Sequence, residues 1–334
     1  MKKTPFISVI MSVYNTDENY LREAIESILN QTFTNFEFII IDDASSFSID
    51  CVIKEYEDPR IILMRNTNNM GLAASLNKGI EAAKGKYIAR MDSDDVSSVE
   101  RFEKQVDFME RYKEVDILGT LAEKFGGMNG KFGYDESNEM IKARLIFNSS
   151  LIHPTCMIRR DFLISNNLKY NPNFLKAQDY ELWSRCITGE IAVFPEVLLS
   201  YRVHNKQVTI SGKKEQEEYG DKVRIKLINE LGINPTQEER EIHYELINST
   251  PKFKYSIITV NNWCLKLIRA NTNLGIFNRV AFNKVIIEYF IGYLYKILKS
   301  DKRVISTIFR TCLFYKSLNP IYYKTYFNKI RKMK

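Results

Sequence analysis

The sequence predicts an α/β chain, a mostly parallel sheet flanked by helices, with a C-terminal α-helical accessory region. Three observations carry that expectation. Through the first 112 residues, apolar runs of strand length alternate with segments of helical period. Three of the strand-like runs end in polar or acidic residues. Beyond residue 251 the periodicity is helical and rich in Tyr, Phe, Ile and Leu.

The elements follow in order. Residues 6–13 are β-rich and read as a strand. Asp17 to Asn30 reads as a helix, with Leu21, Ala24, Ile25, Ile28 and Leu29 on one face. Phe36–Ile41 is an apolar run broken only by Glu37, the pattern of a strand buried on both faces. A short helix over 46–56 and a strand over 60–65 come next. Gly71–Lys84 is helical, with Gly85 as its stop. Lys86–Met91 reads as a strand and Val96–Tyr112 as a helix. This alternation implies parallel βαβ units with right-handed crossovers. From 115 to 150 the pattern weakens, and Gly126, Gly127, Gly130 and Gly133 mark turns, one a candidate hairpin. A strand is expected over 153–158, helices over 160–166 and 178–188, strand structure over 191–203 and charged helix over 214–248.

Composition excludes several classes. The five cysteines are dispersed, with no Cys-x-x-Cys pair, as for reduced thiols and unlike a disulfide frame or zinc site. Three scattered histidines cannot build a histidine metal cluster. No stretch reaches the ~18 apolar residues of a membrane span, and the N-terminus lacks a signal-peptide pattern. The expectation is a cytoplasmic protein, peripheral at most on the inner face of the cell membrane. Residues 251–334 hold 17 Lys and Arg against two acids, a net of +15, whereas residues 1–250 carry −8. That asymmetry points to a polyanionic partner for the basic end.

Ligands of open α/β sheets bind outside the carboxyl ends of the strands. Here those ends deliver Ser12-Val13-Tyr14-Asn15, Asp42-Asp43 and Asp92-Ser93-Asp94. Asp92 and Asp94 lie two residues apart after a strand and can reach one cavity. Mg²⁺ and Mn²⁺ favour such oxygen ligands, supplemented by phosphates and water. The loop 65–73 is polar and enters a helix at Gly71, where N–H groups suit phosphate or sugar oxygens. Asn69, Lys78 and Arg90 are candidate donor-binding residues; a surface charge or structural ion pair is the bland alternative for the two cations. Asp179 opens a helix and could act as a base or simply as its cap.

These fragments, in this order and ending in Ala177-Gln178-Asp179-Tyr180-Glu181-Leu182-Trp183, resemble the inverting family 2 glycosyltransferases, which have a Rossmann-like GT-A fold and use nucleotide-sugar donors. The resemblance implies a catalytic domain over 1–212, with nucleotide-sugar binding over about 1–112 and the acceptor side over about 113–212, followed by the accessory region 213–334. It implies Asp94 as metal ligand, assisted by Asp92, and Asp179 as general base. The family usually has Glu-Asp at 178–179, and this chain has Gln178 there. Asp43 matches the position that reads the base. A carboxylate accepts uracil N3–H, which cytosine lacks, so a UDP-sugar is favoured. Ser12, Val13, Tyr14, Asn15 and Asp42 would surround the nucleotide. His204 is a further candidate metal ligand, and His153, Gln178, Trp183 and Arg202 are acceptor-side candidates.

The processive members carry a Gln-x-x-Arg-Trp segment and transmembrane helices, and neither occurs here. The implied activity is transfer of a single hexose or N-acetylhexosamine, with Mn²⁺ or Mg²⁺, to a glycan or lipid-linked acceptor in bacterial surface polysaccharide or capsule synthesis. Residues 251–334 interleave aromatics with Lys and Arg, as in helices that bind anionic membrane; a helical packing surface for a homo-oligomer is the alternative, and no nucleic-acid motif accompanies the charge. Two rival functions are a non-catalytic sugar-nucleotide-binding module of this fold and a nucleotidyltransferase. The second would need a glycine-rich, basic phosphate loop, where this chain has Ser12-Val13-Tyr14-Asn15-Thr16-Asp17.

Overall fold

The computed structural model describes residues 4–204, 213–248, 250–300, 311 and 313. All of the aromatic and basic residues beyond 300, Phe309, Phe314, Tyr315, Tyr322, Tyr323, Tyr326 and Phe327 among them, lie outside the described residues.

The chain begins with β1 (Ile7–Val13), α1 (Glu18–Leu29), β2 (Phe36–Asp42), α2 (Asp50–Lys54), β3 (Ile61–Arg65), α3 (Leu72–Ala82) and β4 (Tyr87–Asp92). β5 (Val96–Ser97), α4 (Arg101–Arg111), β6 (Val115–Gly126), β7 (Gly130–Phe132) and α5 (Asn138–Arg144) follow. A 3₁₀ turn (His153–Thr155), β8 (Met157–Arg159), α6 (Arg160–Ser165), α7 (Gln178–Arg185) and β9 (Glu190–Val203) complete the α/β part. Four helices come last: α8 (Lys213–Glu230), α9 (Gln237–Ile247), α10 (Ile257–Leu274) and α11 (Arg279–Ser300).

The strands form one sheet in the order β3-β2-β1-β4-β8-β6-β9-β5, with β7 added to β6. β1, β2, β3 and β4 pair in parallel, β8 joins β4 to β6 in antiparallel fashion, and β6 runs parallel to β9. The apolar runs on β1, β2 and β4 are buried because α1 and α4 cover one face, with Leu21, Ile25, Ile28, Phe102 and Met109 fully enclosed. On the other face α3 approaches closely: a Cβ on Gly79 would meet Ile10 Cγ2 at 2.6 Å, so only glycine admits that contact without displacement.

Three expectations are corrected. The helix expected from Val96 starts at Arg101, because Val96 and Ser97 pair with Ser200 and Leu199 of β9. The strand expected over 153–158 is a 3₁₀ turn through Thr155 and a strand only from Met157; Pro154 has no N–H for a ladder. The indistinct stretch after 115 contains β6, which spans 12 residues.

The chain divides into two compact units, residues 1–141 with 149–221, and residues 142–148 with 222–334. Within the second, the short segment is held by polar anchors. Arg144 pairs with Glu288 at 2.6 Å, both buried. Arg224 Nε donates to Phe147 O at 2.7 Å. His243 stacks on Phe147, with ring centroids 4.7 Å apart. His243 Nδ1 accepts from Trp263 Nε1 at 3.3 Å, so its Nε2 carries the hydrogen donated to Ile146 O at 2.9 Å. Burial pulls the His243 pKa down to about 3. No helix of the described residues is long and apolar enough to cross a membrane.

Candidate active site

Strand register brings the polar ends together. Ser12 stands opposite Asp92 on β4, and Val13 opposite Asp42 on β2. The carboxyl ends of three adjacent parallel strands therefore finish at one level, all within the first unit. Thr16 and Ser93 share a 2.6 Å hydroxyl bond that ties the end of β1 to the Asp92-Ser93-Asp94 loop.

On the β2 side, Asp43 is buried, and its carboxylate takes three donors: Asn66 Nδ2 at 2.7 Å and Met70 N at 2.8 Å on Oδ1, and Gly71 N at 2.9 Å on Oδ2. An ionised carboxylate has about four acceptor sites, so one direction on Oδ2 remains. Asp43 thus organises loop 66–71, and the N–H groups of Met70 and Gly71 expected to face a phosphate turn inward to it. Asn69 Oδ1 also accepts from Gly71 N, at 3.0 Å. Lys78 braces the same loop, its Nζ donating to Arg65 O at 2.6 Å and Asn66 Oδ1 at 2.9 Å. Asp42 Oδ1 caps Ser45 N at 2.9 Å. Tyr14 is exposed at the end of β1; Asn15, also exposed, accepts from Ser46 N through Oδ1 at 2.8 Å.

At the β4 end, Arg90 is buried and its Nη2 pairs with Asp92 Oδ1, while its Nε and Nη1 have no partner among the described residues. Buried donors are ordinarily satisfied, so two unpaired nitrogens mark a place for an acceptor from outside the chain. Arg101, itself wholly buried, fixes this region by donating from Nη2 to Arg90 O at 2.8 Å. Burial and the neighbouring Asp94 raise the Asp92 pKa, against the pull of Arg90.

Asp94 Oδ2 lies 2.9 Å from His204 Nε2. A clamp unrecognised in the sequence fixes that pair. Arg202 donates its backbone N–H to Asp95 Oδ1 at 2.9 Å, its Nε to Asp94 O at 2.7 Å and its Nη2 to Glu23 at 2.7 Å. Its guanidinium lies over the Tyr20 ring at 4.1 Å, and Tyr20 packs against His204 with centroids 5.3 Å apart. These contacts make Arg202 a brace for the Asp92–Asp95 loop. Among the described residues no group of three or more His, Cys, Asp or Glu side chains is placed to cage a metal. Asp94 and His204, the two that meet, could supply one or two ligands to an ion that completes its shell with substrate phosphates and water, as Mg²⁺ does.

Asp179 is the second residue of α7, half-buried. Burial raises its pKa, the backbone N–H groups of Tyr180 and Asp179 hold it down, and Asp92 and Arg90 act on it with opposite signs. Those couplings put Asp179, Asp92 and Arg90 in one electrostatic neighbourhood. Ala177, just before this helix, sits at φ 52° in the left-handed region, where a non-glycine residue is strained by about 1 kcal/mol or more. Gln178 is buried beside it. His153 is buried, bonded through Nε2 to Tyr170 OH at 2.7 Å, and kept neutral by burial and the Arg90 charge. Trp183, expected on the acceptor side, is fully buried and edge-on to His153 at 6.2 Å. It lies one turn below Asp179 on the same helix face, inside the core.

The chain is similar to known proteins. Residues 8–167 match the family model described as glycosyl transferase family 2. The chain is 36% identical over 230 residues to an uncharacterized glycosyltransferase of Methanocaldococcus jannaschii, covering 64% of this chain and 77% of that one. It is 36% identical over 209 residues to the O-antigen biosynthesis glycosyltransferase WbnJ of Escherichia coli, covering 60% and 80%. Among solved structures it is similar to residues 1–349 of S. aureus TarS in complex with UDP-GlcNAc, at TM-score 0.56 and 17% identity over 87% of this chain and 88% of that one. It is also similar to the mannosyltransferase PcManGT of Pyrobaculum calidifontis in complex with GDP-Man and Mn²⁺, at TM-score 0.54 and 14% identity over 90% and 89%. The fold is GT-A, and the chain belongs to glycosyl transferase family 2.

Proposed function

We propose that this chain is an inverting, metal-dependent glycosyltransferase. It moves one hexose or N-acetylhexosamine from a UDP-sugar to a hydroxyl of a glycan, most simply a lipid-linked one, in the synthesis of a bacterial surface polysaccharide. The observation that carries the reading is the level register of Ser12, Asp42 and Asp92, with Asp179 coupled electrostatically to Asp92 and Arg90. The names of WbnJ and of TarS bound to UDP-GlcNAc support a glycan acceptor and a uridine donor.

Asp43 offers its remaining Oδ2 acceptor site to uracil N3–H. Tyr14 and Asn15 flank the base and ribose. Arg90 directs its unpaired Nε and Nη1 to oxygens of the donor. Asp179, ionised, accepts the proton of the attacking hydroxyl. The hydroxyl oxygen forms its bond to the anomeric carbon as the bond to the diphosphate oxygen breaks, so configuration inverts and UDP leaves. Asp94 with Asp92 and His204 would hold Mn²⁺ or Mg²⁺, which offsets the charge on the departing diphosphate.

The test is a panel of nucleotide sugars, with Mn²⁺ or with chelator, read as released nucleoside diphosphate. Slow metal-dependent release from one or two UDP-sugars is expected. Asp179→Asn should keep UDP binding and lose turnover by roughly 10²–10⁴-fold. Because the Asp179 pKa is raised, wild-type activity should fall on acidification at a higher pH than for an ordinary aspartate. Absence of release from every donor, with no metal-dependent UDP binding, would overturn the assignment.

A further inference from the structure

The turn between α10 and α11 is built to project apolar side chains. Gly275 adopts φ 67° and caps α10, donating its N–H to Asn271 O at 2.8 Å. Asn271 then clasps the backbone of Phe277 from both sides, donating Nδ2 to its carbonyl at 3.0 Å and accepting its N–H on Oδ1 at 2.9 Å. Phe277 is buried and stacks on Phe282 with centroids 5.3 Å apart. Asn278 Oδ1 accepts from Val280 N and Ala281 N, capping the start of α11. The braced turn therefore fixes which residues point outward. They are Leu274, Ile276 and Val280, exposed by 54%, 40% and 58%.

Scattered exposed apolar residues need no explanation, but three within seven residues on a rigid tip do. On the turn's own two helices the flanking charge has one sign, while an acid on a neighbouring helix, Glu230 of α8, lies two residues before Gly232, whose Cβ position is 3.4 Å from Leu274 Cδ1. Arg269 and Arg279 are exposed, Lys284 lies one turn along α11 from Val280, and none of the three has an acidic partner among the described residues. The region 251–334 carries two acids in all, and one of them, Glu288, is buried against Arg144. Arg269 stands about 7–8 Å back along the helix from Leu274, close to the ~5–10 Å to which interfacial apolar groups enter the headgroup boundary.

We propose that this tip docks on an anionic bilayer, with Leu274, Ile276 and Val280 entering the interface and Arg269, Arg279 and Lys284 meeting lipid phosphates. Charge complementarity selects that occupant: a cationic collar around an apolar point matches a negatively charged lipid surface, whereas a second copy would set like charges against each other. Docking is independent of the transfer reaction.

The experiment is co-sedimentation of the full chain with vesicles of phosphatidylglycerol and phosphatidylcholine, beside vesicles of phosphatidylcholine alone. Wild type should bind the anionic vesicles and lose binding toward 0.5 M salt. The triple variant Leu274→Ser, Ile276→Ser, Val280→Ser should bind at least roughly tenfold less tightly, with unchanged UDP release from donor sugars. Ile276→Trp should shift its emission to the blue with anionic vesicles only; this second readout holds even where the triple variant folds poorly. Unchanged vesicle binding by the triple variant, or no binding by wild type, overturns the proposal. A dimer in light scattering that the triple variant dissociates, without a vesicle effect, overturns it in favour of self-association.

Discussion

Substituting Asp43 by Asn tests how loop 66–71 is held and the base-reading role proposed for Asp43. In the wild type, Oδ1 takes Asn66 Nδ2 and Met70 N, and Oδ2 takes Gly71 N. Asn can keep its oxygen at the two-donor position, but its NH₂ then faces the Gly71 N–H. One charge-assisted bond is lost, a buried donor is left against another donor, and the two remaining bonds become neutral. A hydrogen bond to a charged group contributes about 1.5–3 kcal/mol, and an unsatisfied buried donor costs about 1–3 kcal/mol. Because these overlap, the expected loss is roughly 2–4 kcal/mol. For a unit of this size that lowers the melting midpoint by roughly 4–16 °C. UDP affinity should fall at least tenfold, because the base loses its anionic acceptor and loop 66–71 its anchor. Differential scanning calorimetry with and without UDP, and titration calorimetry of UDP, provide the two readings. A midpoint within 1 °C of wild type would refute the stability reasoning, and unchanged UDP affinity would refute the base-reading role.

Three further outcomes are expected. Arg90→Met should raise the donor KM by roughly tenfold to a hundredfold, and Arg90→Lys should not restore it, since ammonium lacks the guanidinium fork; steady-state kinetics over donor concentration decides. Arg144→Met should cost about 3–5 kcal/mol in guanidinium unfolding by stranding Glu288, while Arg144→Met with Glu288→Leu should recover most of that loss. His243 is neutral in the fold with its pKa depressed to about 3, so the unfolded chain binds the extra proton as pH falls below about 6.5. Its contribution is full above that pH and declines by roughly 2–3 kcal/mol by pH 4.5. Chemical unfolding at a series of pH values should show that component, and His243→Gln should lack it.

The α/β architecture is legible in the sequence because its signals are local. Phe36–Ile41 has the length and apolar content of a strand buried on two faces, and Leu21, Ile25 and Ile28 recur at helix spacing before it. The polar ends of β1, β2 and β4 are legible for the same reason, since each closes its own apolar run, and the register sets them at nearly one level. Long-range pairing is not visible in this way. Val96 and Ser97 continue the helical pattern of α4, yet β9, about a hundred residues on, draws them into the sheet. Trp183 shares a helix face with Asp179, but sequence alone does not say that one turn separates the cleft from the core. Asp95, Glu23 and Tyr20 meet Arg202 only in three dimensions. A signal was present in Ala44 and Ala177, at φ 60° and 52°, but only as backbone strain, which composition does not record.

The split second unit sets an order on biosynthesis. Leu145, Ile146 and Phe147 are fully enclosed in the finished fold, and His243, which covers Phe147, lies almost a hundred residues downstream. At roughly 5–20 residues per second, the ribosome delivers that partner about 5–20 seconds after the segment emerges. For that interval an apolar tripeptide awaits its cover, the kind of site that holdase chaperones bind. It follows that slowing elongation between codons 148 and 243 lengthens this window and should lower soluble yield, while leaving the finished protein's stability unchanged.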